Sequence, residues 1–167
     1  SGIGGKIATQ LVANQMQIPA VINNDYRLPL FVNENTLVIV SSFSGNTEET
    51  LEALQAAQKA KAEIACITSG GKLAQIAKDH KYKLLVLPKA FSPRAMLTYS
   101  VIQQLFLFHH YGFINNQFIN DTKATVALLN TEENNIISTA KKTANSLFEK
   151  TTVAYSEASM EGVITRF

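Results

Sequence analysis

A short apolar run, followed at once by a small polar loop and an amphipathic stretch, dominates the middle of the sequence. Residues 37–40 have the continuous hydrophobicity of a strand that is buried on both faces of a parallel sheet. The loop that follows is Ser42-Phe43-Ser44-Gly45-Asn46-Thr47. Apolar residues then recur on one helical stripe as far as residue 60. This order predicts a parallel βα unit with the loop at the carboxyl end of its strand.

The same alternation extends over most of the chain. Further strands are predicted at residues 18–22, 64–67 and 84–87, and further helices at residues 4–16, 72–78 and 94–110. We therefore predict an α/β fold, a doubly wound parallel sheet with helices on both faces. In such sheets ligands bind beyond the carboxyl ends of the strands, which is where the Ser-, Gly- and Thr-rich loops fall.

The pattern changes after residue 116. Residues 117–150 have helical spacing that weakens near residues 130–132, which predicts two connecting helices. An apolar run at residues 152–155 then predicts a new strand, followed by a Ser-bearing loop and the start of a helix. We expect three parts: a first domain over residues 1–116 without its N-terminal strand, a helical connection over 117–150, and the truncated start of a second copy of the domain over 151–167.

Composition narrows the class of protein. Hydrophobic residues make up 46% of the 167 residues, enough for a core, while only 17% are charged, which suggests surface hidden in an interface. A net charge of +2 gives no reason to expect nucleic acid or a membrane as partner, and no signal peptide or spanning segment is visible. The single cysteine, Cys66, lies in an apolar run, so we expect a buried thiol and a cytoplasmic protein without disulfides.

Two interpretations of the polar loop compete. The first-turn amides of a helix attract anions, the hydroxyls of Ser42, Ser44 and Thr47 add donors, and Gly45 has no Cβ to hold a ligand away. Alternatively, Asn46 could form an ordinary capping box with a glutamate three residues later. The number of hydroxyls in six residues favours phosphate or sugar-phosphate binding. The absence of lysine in this loop excludes a Walker-type nucleotide loop.

Other candidate residues give weaker signals. Arg94 begins a predicted helix on the ligand side of the sheet, where it could stabilise an oxyanion or simply be a surface arginine. His109 and His110 end that helix without Cys, Asp or Glu at ligand spacing, so no metal site is predicted. The glycine cluster at residues 1–5 fails the dinucleotide-binding pattern because Ile7 stands at its third glycine position.

Three motifs resemble a known family. The motif Ser42-Phe43-Ser44-Gly45-Asn46-Thr47-Glu48-Glu49-Thr50 resembles a sugar isomerase (SIS) domain. Ile67-Thr68-Ser69-Gly70-Gly71-Lys72-Leu73-Ala74 and Ser92-Pro93-Arg94-Ala95 narrow the resemblance to the bifunctional phosphoglucose/phosphomannose isomerases of the phosphoglucose isomerase superfamily. Tyr26-Arg27-Leu28-Pro29 also recurs in that family. Residues 1–5 resemble the end of its glycine-rich loop, and residues 156–167 resemble the first loop and helix of its second SIS domain.

The resemblance implies roles for individual residues. It implies that the substrate phosphate is held by a set of small residues, namely Ser1, Ser42, Ser44, Gly45, Asn46 and Thr47. It also implies that Arg94 stabilises an enediolate. The glutamate base and the histidine and lysine that assist ring opening are expected beyond Phe167, so we expect this polypeptide alone to bind sugar phosphate weakly without turnover.

The resemblance also implies an activity and partners. The implied reaction interconverts glucose 6-phosphate or mannose 6-phosphate with fructose 6-phosphate, as in glycolysis and gluconeogenesis, without a cofactor or metal. The implied assembly is a homodimer with sites at its interface. An alternative stays open, in which the chain is an SIS module that senses a phosphosugar and regulates a partner without catalysis. A nucleotide-dependent Rossmann enzyme is disfavoured by the failed glycine spacing.

Overall fold

The computed structural model describes residues 2–89 and 96–165. Its helices and strands follow in the order α1 (Gly2–Leu11), β1 (Leu37–Ser41), α2 (Glu48–Lys59), β2 (Glu63–Thr68), α3 (Gly71–Asp79), β3 (Lys83–Val86), α4 (Leu97–His110), α5 (Gln117–Leu147) and α6 (Glu161–Ile164). A 3₁₀ turn at Ala158–Met160 precedes α6. Over residues 37–110 strands and helices alternate, as the sequence predicts.

The three strands form one parallel sheet in the order β1-β2-β3. Val40 on β1 lies opposite Cys66 on β2, which in turn lies opposite Leu84 on β3. The central strand β2 is buried from its second residue to its last. Its near-continuous hydrophobicity is therefore explained by packing on both faces, as expected for a parallel strand between two neighbours.

Helices cover both faces of the sheet. On one face, side chains from β1 and β2 pack against α2 and α3 in a buried cluster of Val40, Leu54, Ala57, Ile64, Cys66, Leu73 and Ala77. On the other face, Ala65 and Ile67 pack against Leu107 of α4. Helix α4 also packs against α1 in a further cluster of Ala8, Val12, Val101, Leu105, Phe108, Ile114 and Phe118. The predicted parallel α/β architecture with helices on both faces is confirmed.

Two predicted strands do not form. Residues 18–22 and 152–155 have no strand structure in the parts of the chain that the structure describes. Most of their apolar side chains are exposed, with Val21 at 59% and Tyr155 at 90%, while Ile22 is half-buried. A strand needs a neighbour for its backbone hydrogen bonds, and neither segment lies in the ladder of β1, β2 and β3. The predicted second copy of the domain is therefore not shown.

The region after residue 116 forms a single long helix. Two helices with a break near residues 130–132 were the expectation, and that expectation is wrong, because α5 runs unbroken for 31 residues. None of the three residues is proline or glycine, the residue types that break helices strongly. Thr131 also satisfies its hydroxyl inside the helix, since Thr131 Oγ1 donates to the Ala127 carbonyl at 3.0 Å.

Candidate functional site

The polar loop after β1 is closed by the side chain of Ser42. Ser42 is buried, and its backbone N–H continues the sheet by donating to the Ile67 carbonyl at 3.0 Å. Its Oγ accepts a hydrogen bond from the Gly45 N–H at 3.1 Å and lies 2.8 Å from Thr47 Oγ1. The Ser42 hydroxyl therefore joins the beginning, the middle and the end of the loop.

A second loop, between β2 and α3, is hydrogen-bonded to the first. The Ser69 N–H and Oγ both donate to the Phe43 carbonyl, at 3.0 and 2.6 Å. The Leu73 N–H donates to the Gly45 carbonyl at 2.9 Å. The two loops meet because β1 and β2 are adjacent and parallel, so that their carboxyl ends lie at the same edge of the sheet.

Gly45 allows this close contact between the loops. Its φ is +68°, in the left-handed region, and a Cβ at this position would lie 1.9 Å from the Gly70 carbonyl oxygen. The sequence suggested that the missing Cβ makes room for a ligand. In the structure, the neighbouring backbone occupies that space, so Gly45 is required for the packing of the two loops.

Helix α2 begins without a side-chain cap. Thr47 occupies the N-cap position in an extended conformation, but its side chain makes no capping hydrogen bond. The capping box considered as the alternative for Asn46 does not form, because Asn46 Oδ1 accepts a hydrogen bond from the Lys72 N–H at 3.0 Å. The first-turn amides of α2 are therefore not capped by a side chain, which leaves them available to an anion.

The polar side chains around this helix start face outward. Ser44, Asn46 and Thr47 are exposed, whereas Ser42 is buried. Either hydroxyl of the Ser42–Thr47 pair could be the donor. When the buried Ser42 donates, the exposed Thr47 hydroxyl keeps its hydrogen for an outside acceptor. Ser44 Oγ accepts from the Asn46 N–H at 3.2 Å and keeps its own hydrogen for donation. The loop thus presents uncharged donors on the surface at a helix N-terminus.

One aromatic residue that the sequence did not place at the site lies beside it. Tyr26 lies close to Glu48 and Glu49 in the first turn of α2. Desolvation, and after it the negative charges of Glu49 and Glu48, raises the pKa of Tyr26 above its usual value. The only signal in the sequence was that Tyr26 belongs to a motif of the resembled family. Ser69 was also missed as a support of the loop, although adjacent parallel strands predict that their loops meet.

Two of the predicted site residues, Ser1 and Arg94, fall outside the described residues. Glu161, the first residue of α6, forms an ion pair with Lys6 of α1 at 2.5 Å. Gln10 Nε2 donates to the Ala158 carbonyl at 3.0 Å, so the segment that contains α6 lies against α1.

The described ranges contain neither a metal site nor a membrane-spanning helix. Over residues 2–89 and 96–165, no three His, Cys, Asp or Glu side chains are grouped so that they could hold a metal ion. Within those ranges, every helix is too short or too polar to cross a membrane. His109 lies instead in a structural contact, with its ring Nδ1 3.1 Å from the Ile114 carbonyl oxygen.

Comparison with known proteins identifies the class. The family model described as the SIS domain matches residues 23–111, which is more than half of the chain and includes β1, β2, β3 and all of α4. The chain therefore belongs to the SIS-domain family.

Its relatives include enzymes whose names refer to phosphorylated hexoses. The chain is 46% identical over 114 residues to a bifunctional phosphoglucose/phosphomannose isomerase of Caldicellulosiruptor bescii, covering 68% of this chain and 34% of the relative. It is 38% identical over 99 residues to the protein of the same name from Thermoplasma acidophilum, covering 59% of this chain and 30% of the relative. It is 37% identical over 99 residues to a D-glucosamine-6-phosphate 4-epimerase of Sulfolobus acidocaldarius, covering 59% of this chain and 32% of the relative. The matched part thus spans about a third of the length of these relatives.

Proposed function

We propose that this chain is part of an aldose–ketose isomerase and binds the phosphate group of its hexose 6-phosphate substrate. The reaction we propose interconverts glucose 6-phosphate or mannose 6-phosphate with fructose 6-phosphate through an enediolate. The names of the isomerase relatives support the reaction class. The epimerase relative is named for a different reaction on a phosphorylated hexose. The matched region is therefore best explained as the part that binds the phosphate of the substrate.

The loop between β1 and α2 is the observation that carries this proposal. Its N-cap residue Thr47 leaves the first turn of α2 without a side-chain cap, and Ser44 and Thr47 present hydroxyls beside it. A phosphate dianion fits backbone N–H groups and neutral hydroxyls at a helix N-terminus. Ser42 and Gly45 would act mainly by holding the loop in shape, since the Ser42 hydroxyl accepts from the Gly45 N–H.

A phosphate held at this loop can assist chemistry at the other end of the sugar. The phosphate does not react, so binding energy there can position C1 and C2 for proton transfer without contacting them. Within this proposal Arg94 offsets the negative charge that develops on O1 and O2 when a proton leaves C2. Ser1 would add a further hydroxyl to the phosphate.

The domain division and the assembly are proposals of the same kind. We propose a first SIS domain over residues 1–116, a helical connection over 117–150, and the start of a second SIS domain over 151–167. A cytoplasmic homodimer without cofactor or metal fits this scheme. The enzyme names of the relatives favour an isomerase over a regulatory module that only senses a phosphosugar.

Isothermal titration calorimetry with fructose 6-phosphate tests the proposed site. We expect binding to the parent chain, and Ser44→Ala and Thr47→Val are each expected to weaken it by about 10- to 100-fold. This range corresponds to the loss of one hydrogen bond to a charged group, worth about 1.5–3 kcal/mol. Ser138→Ala, which removes an exposed hydroxyl from α5, is the matched control and is expected to bind like the parent chain.

The choice of ligands separates phosphate recognition from other binding. Glucose 6-phosphate is expected to compete with fructose 6-phosphate, whereas glucose, NAD and ATP are not. Equal affinity of the parent chain and both hydroxyl variants would refute the assignment of the site to this loop. Turnover is tested separately by incubating the chain with fructose 6-phosphate. Isomerisation above background would contradict the expectation that this polypeptide needs further catalytic groups.

A further inference from the structure

The start of α3 is hydrogen-bonded to the loop proposed to bind phosphate. The Lys72 N–H donates to Asn46 Oδ1 at 3.0 Å, and the Leu73 N–H donates to the Gly45 carbonyl at 2.9 Å. Two amides in the first turn of α3 are thus used within the protein. The start of α3 therefore supports the loop, whereas the start of α2 has no side-chain cap and keeps its amides for an anion.

These contacts fix the backbone of Lys72 and leave its side chain at the surface. Leu73 is fully buried, whereas Lys72 is exposed. On the other side of Lys72, a Cβ on Gly71 would lie 2.3 Å from the Ser44 carbonyl oxygen, so the two backbones are in close contact. Lys72 takes part in no ion pair within the described part of the chain. The structure thus holds an unpaired ammonium group beside the loop that presents Ser44 to solvent.

The start of α2 has no positively charged side chain of its own. Residues 42–47 include no lysine or arginine, and the first turn of the helix carries Glu48 and Glu49. Backbone amides and hydroxyls offer only partial positive charges, and the two carboxylates repel a phosphate dianion at the same helix end. A cation beside the loop would offset this repulsion, and Lys72 is the cation that the structure attaches to it.

We propose that Lys72 is a further phosphate-binding residue, whose ammonium group contacts the dianion at the loop between β1 and α2. This inference rests on the proposed function. Lysine carries a point charge on a flexible four-carbon stem, so its ammonium group can reach a phosphate bound beside Asn46. The loop's amides and hydroxyls then set the position of the phosphate, and Lys72 adds the charge that favours a dianion over a neutral ligand.

Titration calorimetry of the 167-residue chain with fructose 6-phosphate at low salt tests this role. Lys72→Gln is expected to weaken binding by about three- to tenfold, because the lost ion pair is exposed but involves a dianion. Lys72→Glu is expected to weaken it further, and Lys72→Arg, which keeps the charge, to bind within about twofold of the parent chain. The matched control is Lys59→Gln, which removes an exposed lysine at the other end of α2, about 17 Å along the helix from Glu48, and is expected to bind like the parent chain.

Salt dependence separates the charge of Lys72 from a structural effect of its substitution. Raising the salt concentration from about 0.01 M to about 1 M shortens the Debye length from about 30 Å to about 3 Å. The difference in affinity between the parent chain and Lys72→Gln is therefore expected to be largest at low salt and to shrink at high salt. A change in the shape of the loop would weaken binding at both salt concentrations alike.

The outcomes distinguish this inference from the proposed function. Binding that depends on Ser44 and Thr47 but is unchanged in Lys72→Gln at low salt would leave the site in place and overturn the role of Lys72. A loss in Lys72→Gln that Lys72→Arg does not restore, or that persists unchanged at high salt, would also overturn it. If the parent chain does not bind fructose 6-phosphate, or if Ser44→Ala and Thr47→Val bind as well as the parent chain, the proposed function itself fails and this inference fails with it.

Discussion

At the scale of single residues, Gly45 shows how the candidate site depends on one missing side chain. We expect Gly45→Ala to lower the free energy of unfolding by about 3 kcal/mol or more. A left-handed conformation costs an L residue about 1–2 kcal/mol, and forcing a methyl group against packed neighbours adds about 1–3 kcal/mol. The neighbour here is a backbone carbonyl, whose oxygen lies 1.9 Å from the position a Cβ would take, so it cannot turn aside. Urea denaturation measures the loss.

A second glycine provides the control for this prediction. Gly112 has a φ of +76°, similar to that of Gly45, but a Cβ there would have no atom within 4 Å. Gly112→Ala is therefore expected to show only the conformational cost, about 1–2 kcal/mol. Equal losses for the two substitutions would show that the contact between the loops contributes nothing, and would contradict our account of why the site needs Gly45.

The buried thiol of Cys66 is expected to make the stability of the chain depend on pH in alkaline solution. Burial raises the pKa of this thiol from 9.0 to about 11. Between these two pH values the unfolded chain loses the thiol proton while the folded chain retains it, so the free energy of unfolding falls as pH rises. Tyr111 contributes in the same direction at higher pH, because desolvation and its hydrogen bond to Glu63 raise its pKa from 10.0 to about 12.

Denaturation at a series of pH values checks this prediction. The parent chain is expected to lose stability steadily from about pH 9 upward, over the range set by the Cys66 pKa. Cys66→Ala removes the thiol titration, so its loss of stability is expected to begin later and to be shallower, although the variant starts from lower stability because of the cavity it creates. Parallel curves for the two chains would show that Cys66 does not titrate differently in the folded and unfolded states.

At the scale of elements, three helices end in the same way. The last turns of α2, α3 and α4 each close with a backbone bond from the second residue after the C-cap to a carbonyl five residues earlier: Ala62 to Ala57, Tyr82 to Ala77, and Phe113 to Phe108. This is the Schellman motif, which needs a left-handed residue after the C-cap. After α4 that residue is Gly112, but after α2 and α3 it is a lysine, Lys61 or Lys81, each with a φ of +57°.

The comparison predicts a stabilising substitution. Lys61→Gly relieves the cost of a left-handed lysine, and the extra freedom of glycine in the unfolded chain takes back part of the gain, which leaves about 0.5–1 kcal/mol. We expect the melting temperature to rise by about 2–3 °C. The control is Lys59→Gly, which places glycine inside the last turn of α2 and is expected to destabilise the chain by about 0.5–1 kcal/mol. A decrease in stability for Lys61→Gly would contradict the prediction.

Element by element, the sequence predicted what depends on local pattern. The strands predicted over residues 37–40, 64–67 and 84–87 form because they pair with one another between two layers of helices. Burial is most complete in β2, whereas Val86 in β3 stays 64% exposed. The runs at residues 18–22 and 152–155 have similar apolar character but no neighbouring strand, and pairing cannot be read from composition. The prediction of a break in α5 was wrong because Asn and Thr lower helix propensity only slightly.

The candidate site was predictable in its position but less so in its internal contacts. That the loop of Ser42, Ser44 and Thr47 lies at a strand's carboxyl end follows from the βα pattern alone. That Ser42 faces inward and that Asn46 binds the Lys72 N–H depends on the neighbouring loop, which is 26 residues away in sequence for the latter contact. Such contacts appear only when the sheet brings the two loops together.

At the scale of the whole molecule, stability is expected to be unevenly distributed. Strand β2 is buried on both faces, with Ala65, Cys66 and Ile67 fully inaccessible, whereas α5 beyond Phe118 has only exposed or partly exposed residues. Backbone amides that open only when the whole domain unfolds exchange slowest with deuterium, and those with few tertiary contacts exchange fastest. We therefore expect hydrogen exchange to be slowest in β2 and, in dilute protein, fast over the second half of α5.

Hydrogen exchange followed by mass spectrometry checks this distribution of stability. Residues 126–147 are expected to take up deuterium well before residues 64–68, because the first segment has few buried contacts and the second opens only when the domain unfolds. Equal protection of the two segments would contradict the expectation.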